Sequence, residues 1–422
     1  MDKKILKQII LDQRESFLKK TDIIDRDLEK SFIDSRKISV ITGVRRSGKS
    51  TLLKQIARKF ENFLYFNFDD ERLIDFTYAD FNSLLGLTFE VYNGTKVFFF
   101  DEIQNIYGWE KFASRLFAEG YKVFVTGSNA KLLSSELATS LTGRHKTTEL
   151  YPFGFKEYLM MKKIEFKKDY STKETSKLKK MFNEYLESSG FPEILISRDK
   201  EELKQIYEDI LFKDLIVRFK IRDVKSFREL LLFLFSNAGK KISFNNLSKI
   251  LNFKSVATVK NYIEFFEKVY LLFPVYLFDY SIKKQIKNDR KIYGIDHGLL
   301  KTVSFNFSKN NGRYLENLVF IELKRRGINP FYYVTKQGKE IDFLIRKGVK
   351  TNELIQVSYE LSDKDTFARE IDGLFEGLKE FNLKEGLILT EYEETEIKKD
   401  GKKIVIKPVY KWLIDKNIPS NL

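Results

Sequence analysis

No cysteine occurs in the 422 residues. Disulfides are therefore excluded, as are a thiolate nucleophile and any zinc site built on cysteine. Histidine is almost as scarce. His145 and His297 are the only two, which argues against His-metal chemistry. Six prolines against 43% hydrophobic residues describe a globular chain rather than a disordered one. No apolar run approaches the roughly 20 residues of a membrane span. The first residues, MDKKILKQIILDQRESF, lack the long apolar core of a signal peptide. A soluble, cytoplasmic protein without a membrane partner is expected. No internal repeat or low-complexity segment is visible, and the length suits roughly two to four domains at about 100–200 residues each.

What the chain has in excess is positive charge, a formal +15, concentrated in its middle third. A localised basic surface predicts an acidic partner, nucleic acid first. A lysine-rich surface that only confers solubility is the alternative.

The stretch ITGVRRSGKSTLL, Ile41 to Leu53, carries the first chemistry. Lys37 to Thr42 reads as a strand, and Thr51 to Phe60 has the apolar spacing of a helix. Between them Gly43, Gly48, Lys49 and Ser50 fit G-x-x-x-x-G-K-S/T. In that loop the backbone N–H groups of Gly43, Val44, Arg45, Arg46, Ser47, Gly48, Lys49, Ser50 and Thr51 can cradle phosphates at a helix N-terminus. Lys49 supplies charge to the outer phosphates, and Ser50 is the expected Mg²⁺ ligand. A glycine turn that binds nothing would leave Lys49 unexplained.

Downstream, KVFFFDEIQ (Lys96 to Gln104) reads as a buried parallel strand ending in two carboxylates. Asp101 is the candidate to hold Mg²⁺, and Glu102 the candidate to polarise the attacking water. A third strand, YKVFVTGSNAKLL, ends in Ser128 and Asn129, which are placed to sense the γ-phosphate, to cap a following helix, or both. Arg144 follows directly and is a candidate for stabilising transition-state charge, in cis or across a subunit boundary.

GVRRSGKST, FFFDEIQ, TGSNAKLL, LTGRHKTTELYPFGFKEYL and SSGFPE (Ser188 to Glu193), in this order and spacing, resemble a family of prokaryotic AAA-type P-loop ATPases. That family joins its ATPase domain to a C-terminal domain of unknown function with a restriction-endonuclease-like core. The resemblance spans nearly the whole chain and implies ATP as the nucleotide, since the loop alone does not distinguish nucleotides. It also makes the Arg45–Arg46 pair ordinary, although no physical role for the pair follows from the sequence.

The middle of the chain divides into a helical stretch and a compact module. Phe191 to Ile221 reads as a long amphipathic helical stretch suited to a lid and connector, with Asp209, Asp214 and Arg218 at helical spacing for structural pairing along it. Ser226 to Gly239, Phe244 to Phe253 and Ser255 to Leu272 read as three helices, the third N-capped by Ser255. A two-stranded wing around a basic tip, Lys283 to Lys291, completes the pattern of a winged helix-turn-helix. Lys254, Lys260, Lys283, Lys284 and Lys287 are the candidate contacts to double-stranded DNA. Packing against neighbouring domains or a protein partner is the competing use.

The last third reads as helix (Asn311 to Gly327, carrying Glu316), hairpin (Phe331 to Gly348) and strand (Asn352 to Leu361), an order that resembles the PD-(D/E)xK nuclease core. Asp342 matches its first acid, with Glu340 on the same face of the strand. The E-x-K position is occupied by Gln356–Val357–Ser358, so a metal ligand and a cation are missing together. Glu353 faces the other way, and Lys364 lies just beyond the strand. The site Glu316, Glu340, Asp342, Gln356 and Ser358 reads as degenerate, and DNA cleavage is not expected. After it, the charges of Glu391 to Lys403 read as a solvated loop between two strands.

The expectation is an α/β chain in four parts: a P-loop AAA-type ATPase core (1–160), a helical lid and connector (161–224), a winged helix-turn-helix (225–298) and an inactive restriction-endonuclease-like domain (299–422). Its function would be Mg²⁺-dependent ATP hydrolysis coupled to DNA or partner binding, in a chain able to form an oligomer. The alternatives are a nucleotide-gated switch that engages a protein partner and an active DNA nuclease.

Overall fold

The computed structural model describes residues 1–19, 23–28, 30–128, 141–167, 169–304 and 311–415, and for 364–366 the backbone only. The chain folds as two compact units, Met1–Leu150 and Tyr151–Leu422.

The first unit is a parallel sheet covered on both faces. Its strands are β1 (Ile38–Thr42), β2 (Leu64–Asn67), β3 (Val97–Asp101), β4 (Lys122–Gly127) and β5 (His145–Glu149), in the order β2-β3-β4-β1-β5. Strand alternation sends consecutive phenylalanines to opposite layers. Phe98 and Phe100 join Leu6, Ile9 and Phe66 on one side. Phe99 joins Leu52, Leu53 and Ile56 on the other and stacks on Phe124 at 4.7 Å. Four helices supply the covering faces: α1 (Lys3–Leu18), α2 (Lys49–Ala57), α3 (Phe81–Tyr92) and α4 (Trp109–Ala118). Asp2 starts α1 by accepting from the Lys4 and Ile5 amides.

The second unit opens with helices α5 (Phe155–Met161) and α6 (Thr172–Glu187). The stretch expected to be helical over 191–221 is helical in segments. It comprises α7 (Pro192–Ser197), α8 (Lys200–Asp209) and a wide-turn helix, Ile210–Val217. Arg198 takes a left-handed φ of 60°, which ends α7 before Asp199 caps α8. Asp214 pairs with Arg218 at 3.9 Å, while Asp209 takes Lys213 instead.

The SSGFPE motif forms a joint. Ser189 Oγ and the Gly190 amide both donate to the buried Asp296 carboxylate at 2.7 Å. Asp296 also caps the helix that follows it by accepting from the Leu299 amide. A Cβ on Gly298 would lie 2.1 Å from the Ser188 carbonyl oxygen, so this crossing requires glycine.

The module between 224 and 294 has helices α9 (Val224–Ser236), α10 (Phe244–Ile250) and α11 (Val256–Lys268). Strands β6 (Lys241–Ile242), β7 (Leu272–Tyr276) and β8 (Arg290–Gly294) form an antiparallel sheet in the order β6-β8-β7. Ser255 caps α11, whose Val259, Ile263 and Phe266 are buried while Ala257, Lys260 and Asn261 stay exposed. The β7–β8 connection holds a short helix, α12 (Ile282–Lys287). The expected basic tip ends early, because Lys291 lies inside β8 at 2% exposure.

Helix α13 (His297–Val303) leads to α14 (Asn311–Arg325) and a six-stranded mixed sheet. Its strands are β9 (Phe331–Val334), β10 (Glu340–Lys347), β11 (Lys350–Val357), β12 (Glu385–Thr390), β13 (Thr395–Lys399) and β14 (Lys402–Pro408), in the order β13-β14-β12-β11-β10-β9. Helix α15 (Lys364–Glu380) packs Leu374 and Leu378 on Ile341, Leu354 and Ile388. The stretch read as a solvated loop is a β-hairpin, with β13 antiparallel to β14. Glu396, Lys398 and Lys399 lie on an edge strand that water reaches on both faces.

Candidate functional site

The phosphate-type loop joins the C-terminal end of β1 to α2. Gly43 has φ 152°, and a Cβ there would meet the Leu150 carbonyl oxygen at 2.1 Å, so the sharp exit from β1 depends on glycine. Gly48 is left-handed, with φ 94°. Lys49 is buried, and its ammonium donates to the Gly43 and Val44 carbonyls at 3.3 and 3.2 Å. Arg26 Nη2 donates to the Ser47 carbonyl at 2.8 Å, bracing the loop from outside.

The ends of β3 and β4 converge on the same place. Tyr65 donates to Asp101 Oδ2 at 2.9 Å, Thr126 Oγ1 donates to Oδ1, and the Ser50 hydroxyl also bonds this carboxylate. Burial, and then the neighbouring Glu102 charge, push the Asp101 carboxyl up against these donors. Burial raises the Tyr65 phenol as well, which keeps it a donor. Glu102 has a left-handed φ of 50°. It accepts from Gln104 Nε2 at 2.5 Å and from the Ser128 amide at 3.2 Å, and it lies 3.4 Å from the Lys49 ammonium. Burial works to raise its carboxyl, but Lys49, Gln104 and Arg45 outweigh burial and hold it below the usual range.

The structure thus brings Lys49, Ser50, Asp101, Glu102 and Ser128 together. Val44 and Ser47 are buried in the loop, while Arg46, Ser50 and Thr51 are exposed. The hydroxyls of Ser47 and Ser128 are buried without a hydrogen-bond partner. An open cleft of about 640 Å³ adjoins Ser50 and Thr51 and is lined also by Phe17, Lys54 and Tyr65. Asn129 lies outside the described residues. Arg144 does not join this group. Strands β1 and β5 are parallel, with Ile38 opposite His145 and Thr42 opposite Glu149. Arg144 therefore stands at the end of β1 away from the loop, where it donates to Ser114 Oγ at 2.5 Å. In this register Arg144 lies away from the loop of its own chain.

In the second unit a buried ionic cluster gathers three of the residues read as a degenerate nuclease site. Lys291 on β8 reaches Glu340 at 2.7 Å, Asp342 at 2.7 Å and Glu316 at 2.9 Å. Tyr293, two residues along the same face of β8, donates to Glu316 at 2.6 Å. Burial, then the Asp342 charge, push Glu316 up to about 7. Gln356 accepts from the Asp342 amide at 3.0 Å and donates to Glu370 at 2.6 Å. Ser358 turns away and bonds the Glu360 carbonyl. The side chain of Lys364 lies outside the described residues. The sequence reading missed Lys291 and Glu370. A lysine inside the apolar strand RKIYG was the available signal for the first, and Glu370 carried none. Lys254, Lys260, Lys283, Lys284 and Lys287 are all exposed, on and around α11 and α12.

A family model described as an AAA domain matches residues 35–159. Two described as domains of unknown function match 179–310 (DUF8612) and 311–411 (DUF4143). The uncharacterized protein MJ1544 of Methanocaldococcus jannaschii is 42% identical, over 98% of this chain and 96% of its own length. An uncharacterized protein of Haemophilus influenzae is 33% identical, over 91% and 96% respectively. The chain belongs to the family of these two proteins. In this family member the AAA match covers β1 to β5 and every site residue gathered at the loop. Among solved structures, the Walker-type ATPase PABY2304 of Pyrococcus abyssi aligns over 67% of this chain and 96% of its own, with 16% identity and a TM-score of 0.41. A likeness of that size decides nothing about this chain. Among the described residues, no helix is long and apolar enough to cross a membrane.

Proposed function

We propose that this chain binds ATP with Mg²⁺ at Gly43–Thr51 and hydrolyses it, using turnover to control DNA held by the module at 224–294. The observation that carries the reading is the meeting of Glu102 with Lys49 at the mouth of the loop. The residues present fit a nucleotide. The Ser47 and Ser128 hydroxyls need partners, and the loop amides and Lys49 supply donors for phosphate oxygens. Ser50 and Asp101, already hydrogen-bonded to each other, would hold Mg²⁺, which when bound neutralises charge on the outer phosphates.

Lys49 and Glu102 hold each other in the present arrangement. Lys49 must turn from the Gly43 and Val44 carbonyls to meet a phosphate, and that movement releases Glu102. Gln104 and the Ser128 amide still donate to the freed carboxylate and keep it in place to accept a proton from water. Thr126 couples the two acids, since it donates to Asp101 while accepting from the Glu102 amide.

The DNA part of the reading rests on the three helices, the β6-β8-β7 sheet and the exposed lysines, the arrangement of a winged helix with α11 as reading helix. A nucleotide-gated switch for a protein partner is the second reading. Glu102 favours hydrolysis, because a pure switch has no need of a water-activating carboxylate. The test is a pair of variants. Lys49→Ala is expected to lose ATP binding, whereas Glu102→Gln keeps binding and loses turnover by about 10²- to 10⁴-fold. Wild-type turnover in Glu102→Gln would remove the carboxylate from the mechanism and leave the switch.

A further inference from the structure

The acidic centre of the C-terminal sheet already contains a cation. Lys291 comes from the three-stranded module, Glu316 from α14, and Glu340 and Asp342 from β10. An ammonium has three N–H donors. Here each reaches a different carboxylate, at 2.7, 2.7 and 2.9 Å, with the lysine 2% exposed. The carboxylates are also engaged elsewhere. Asp342 Oδ2 accepts from the Val357 amide at 3.0 Å, and Glu340 Oε2 meets Lys241 at 2.5 Å. Glu316 Oε1 accepts the Tyr293 hydroxyl. Gln356, beside Asp342, has its oxygen on the Asp342 amide and its nitrogen on Glu370.

We infer that Lys291 is a built-in counter-cation, occupying the centre of this carboxylate cluster and excluding a divalent metal from it. The argument is one of charge and ligand number. Mg²⁺ and Mn²⁺ need about six ligands, mostly oxygens. A metal entering here would face a buried ammonium at contact distance, and would have to strip bonds from Val357, Lys241 and Tyr293. Two lysines, Lys291 and Lys241, already oppose the three acids. The cluster is thus closed without metal, and in the same contact it fastens β8 to β10. This inference does not depend on the ATP reading, which concerns the other unit.

The experiment is Mn²⁺ titration of the full chain without nucleotide, read by paramagnetic resonance of the free ion. Wild type and Asp342→Asn are expected to bind the same number of ions. Lys291→Met is expected to gain one Mn²⁺ per chain, and Lys291→Met combined with Asp342→Asn to lose it again. Two results would overturn the inference: an Asp342-dependent Mn²⁺ in the wild type, or no gained ion in a folded Lys291→Met. Lys291→Gln serves if circular dichroism shows that the methionine variant fails to fold, and the wild-type arm decides independently of both.

Discussion

Single residues set the limits of both sites. Gly43 is the clearest case, since its backbone angle and its contact with the Leu150 carbonyl each forbid a side chain. Gly43→Ala is expected to destabilise the first unit by about 1–3 kcal/mol and to weaken ATP binding more than Gly48→Ala does. Thermal unfolding with and without ATP measures both. Glu316 makes a pH prediction. Its folded value, about 7, lies above the ordinary value of 4.5, so the folded protein binds the proton more tightly than the unfolded chain does. The contribution is therefore complete below about 4.5 and is lost as pH rises through about 7. The melting temperature of wild type relative to Glu316→Gln should fall between pH 5 and 8. A difference flat across that window would show that Lys291 and Tyr293 hold Glu316 ionised throughout.

At the scale of elements, local patterns were legible and distant pairings were not. β1, its glycine loop and α2 follow one another within about twenty residues, and apolar runs with a fixed motif announce them. β3 is equally plain, because three consecutive phenylalanines fit only a strand buried on both faces. Lys291 was hidden for the opposite reason. Its three carboxylate partners lie 25 to 51 residues downstream, so its basic neighbours in sequence made it look like part of a solvated tip. β13 was hidden because an edge strand exposed on both faces carries no alternation of apolar residues. The break at Arg198 required a left-handed residue that no glycine advertised.

The module at 224–294 makes its prediction at this same scale. Replacing Lys254, Lys260, Lys283, Lys284 and Lys287 with glutamine should weaken DNA binding and flatten its dependence on salt, since each lost phosphate contact lowers the slope by about one. Lys284 should contribute least, because Asp279 lies 3.6 Å from it. An unchanged slope, or no binding by the wild type, would assign these lysines to solubility or to a protein partner.

At the scale of the whole molecule, the open question is whether one chain is a complete ATPase. On the proposed reading Lys49, Ser50, Asp101 and Glu102 would supply a phosphate cradle, a metal position and a base, yet Arg144, just before β5, does not reach them. Arg144 sits at the Ile38 end of β1, and four strand steps, about 13 Å, separate that end from the loop. It is exposed, so it is available to a second copy. A trans arginine is expected to act on turnover rather than on nucleotide affinity, and such groups contribute about 10³- to 10⁵-fold. Arg144→Ala should therefore bind ATP normally and hydrolyse it far more slowly. Mixing it with Lys49→Ala, which keeps Arg144 but lacks a working loop, should restore part of the rate, because one mutant supplies the loop and the other the arginine. If Arg144→Ala turns over like wild type, the arginine has no catalytic part. If its loss is real but mixing restores nothing, the effect runs through the Ser114 contact within one chain.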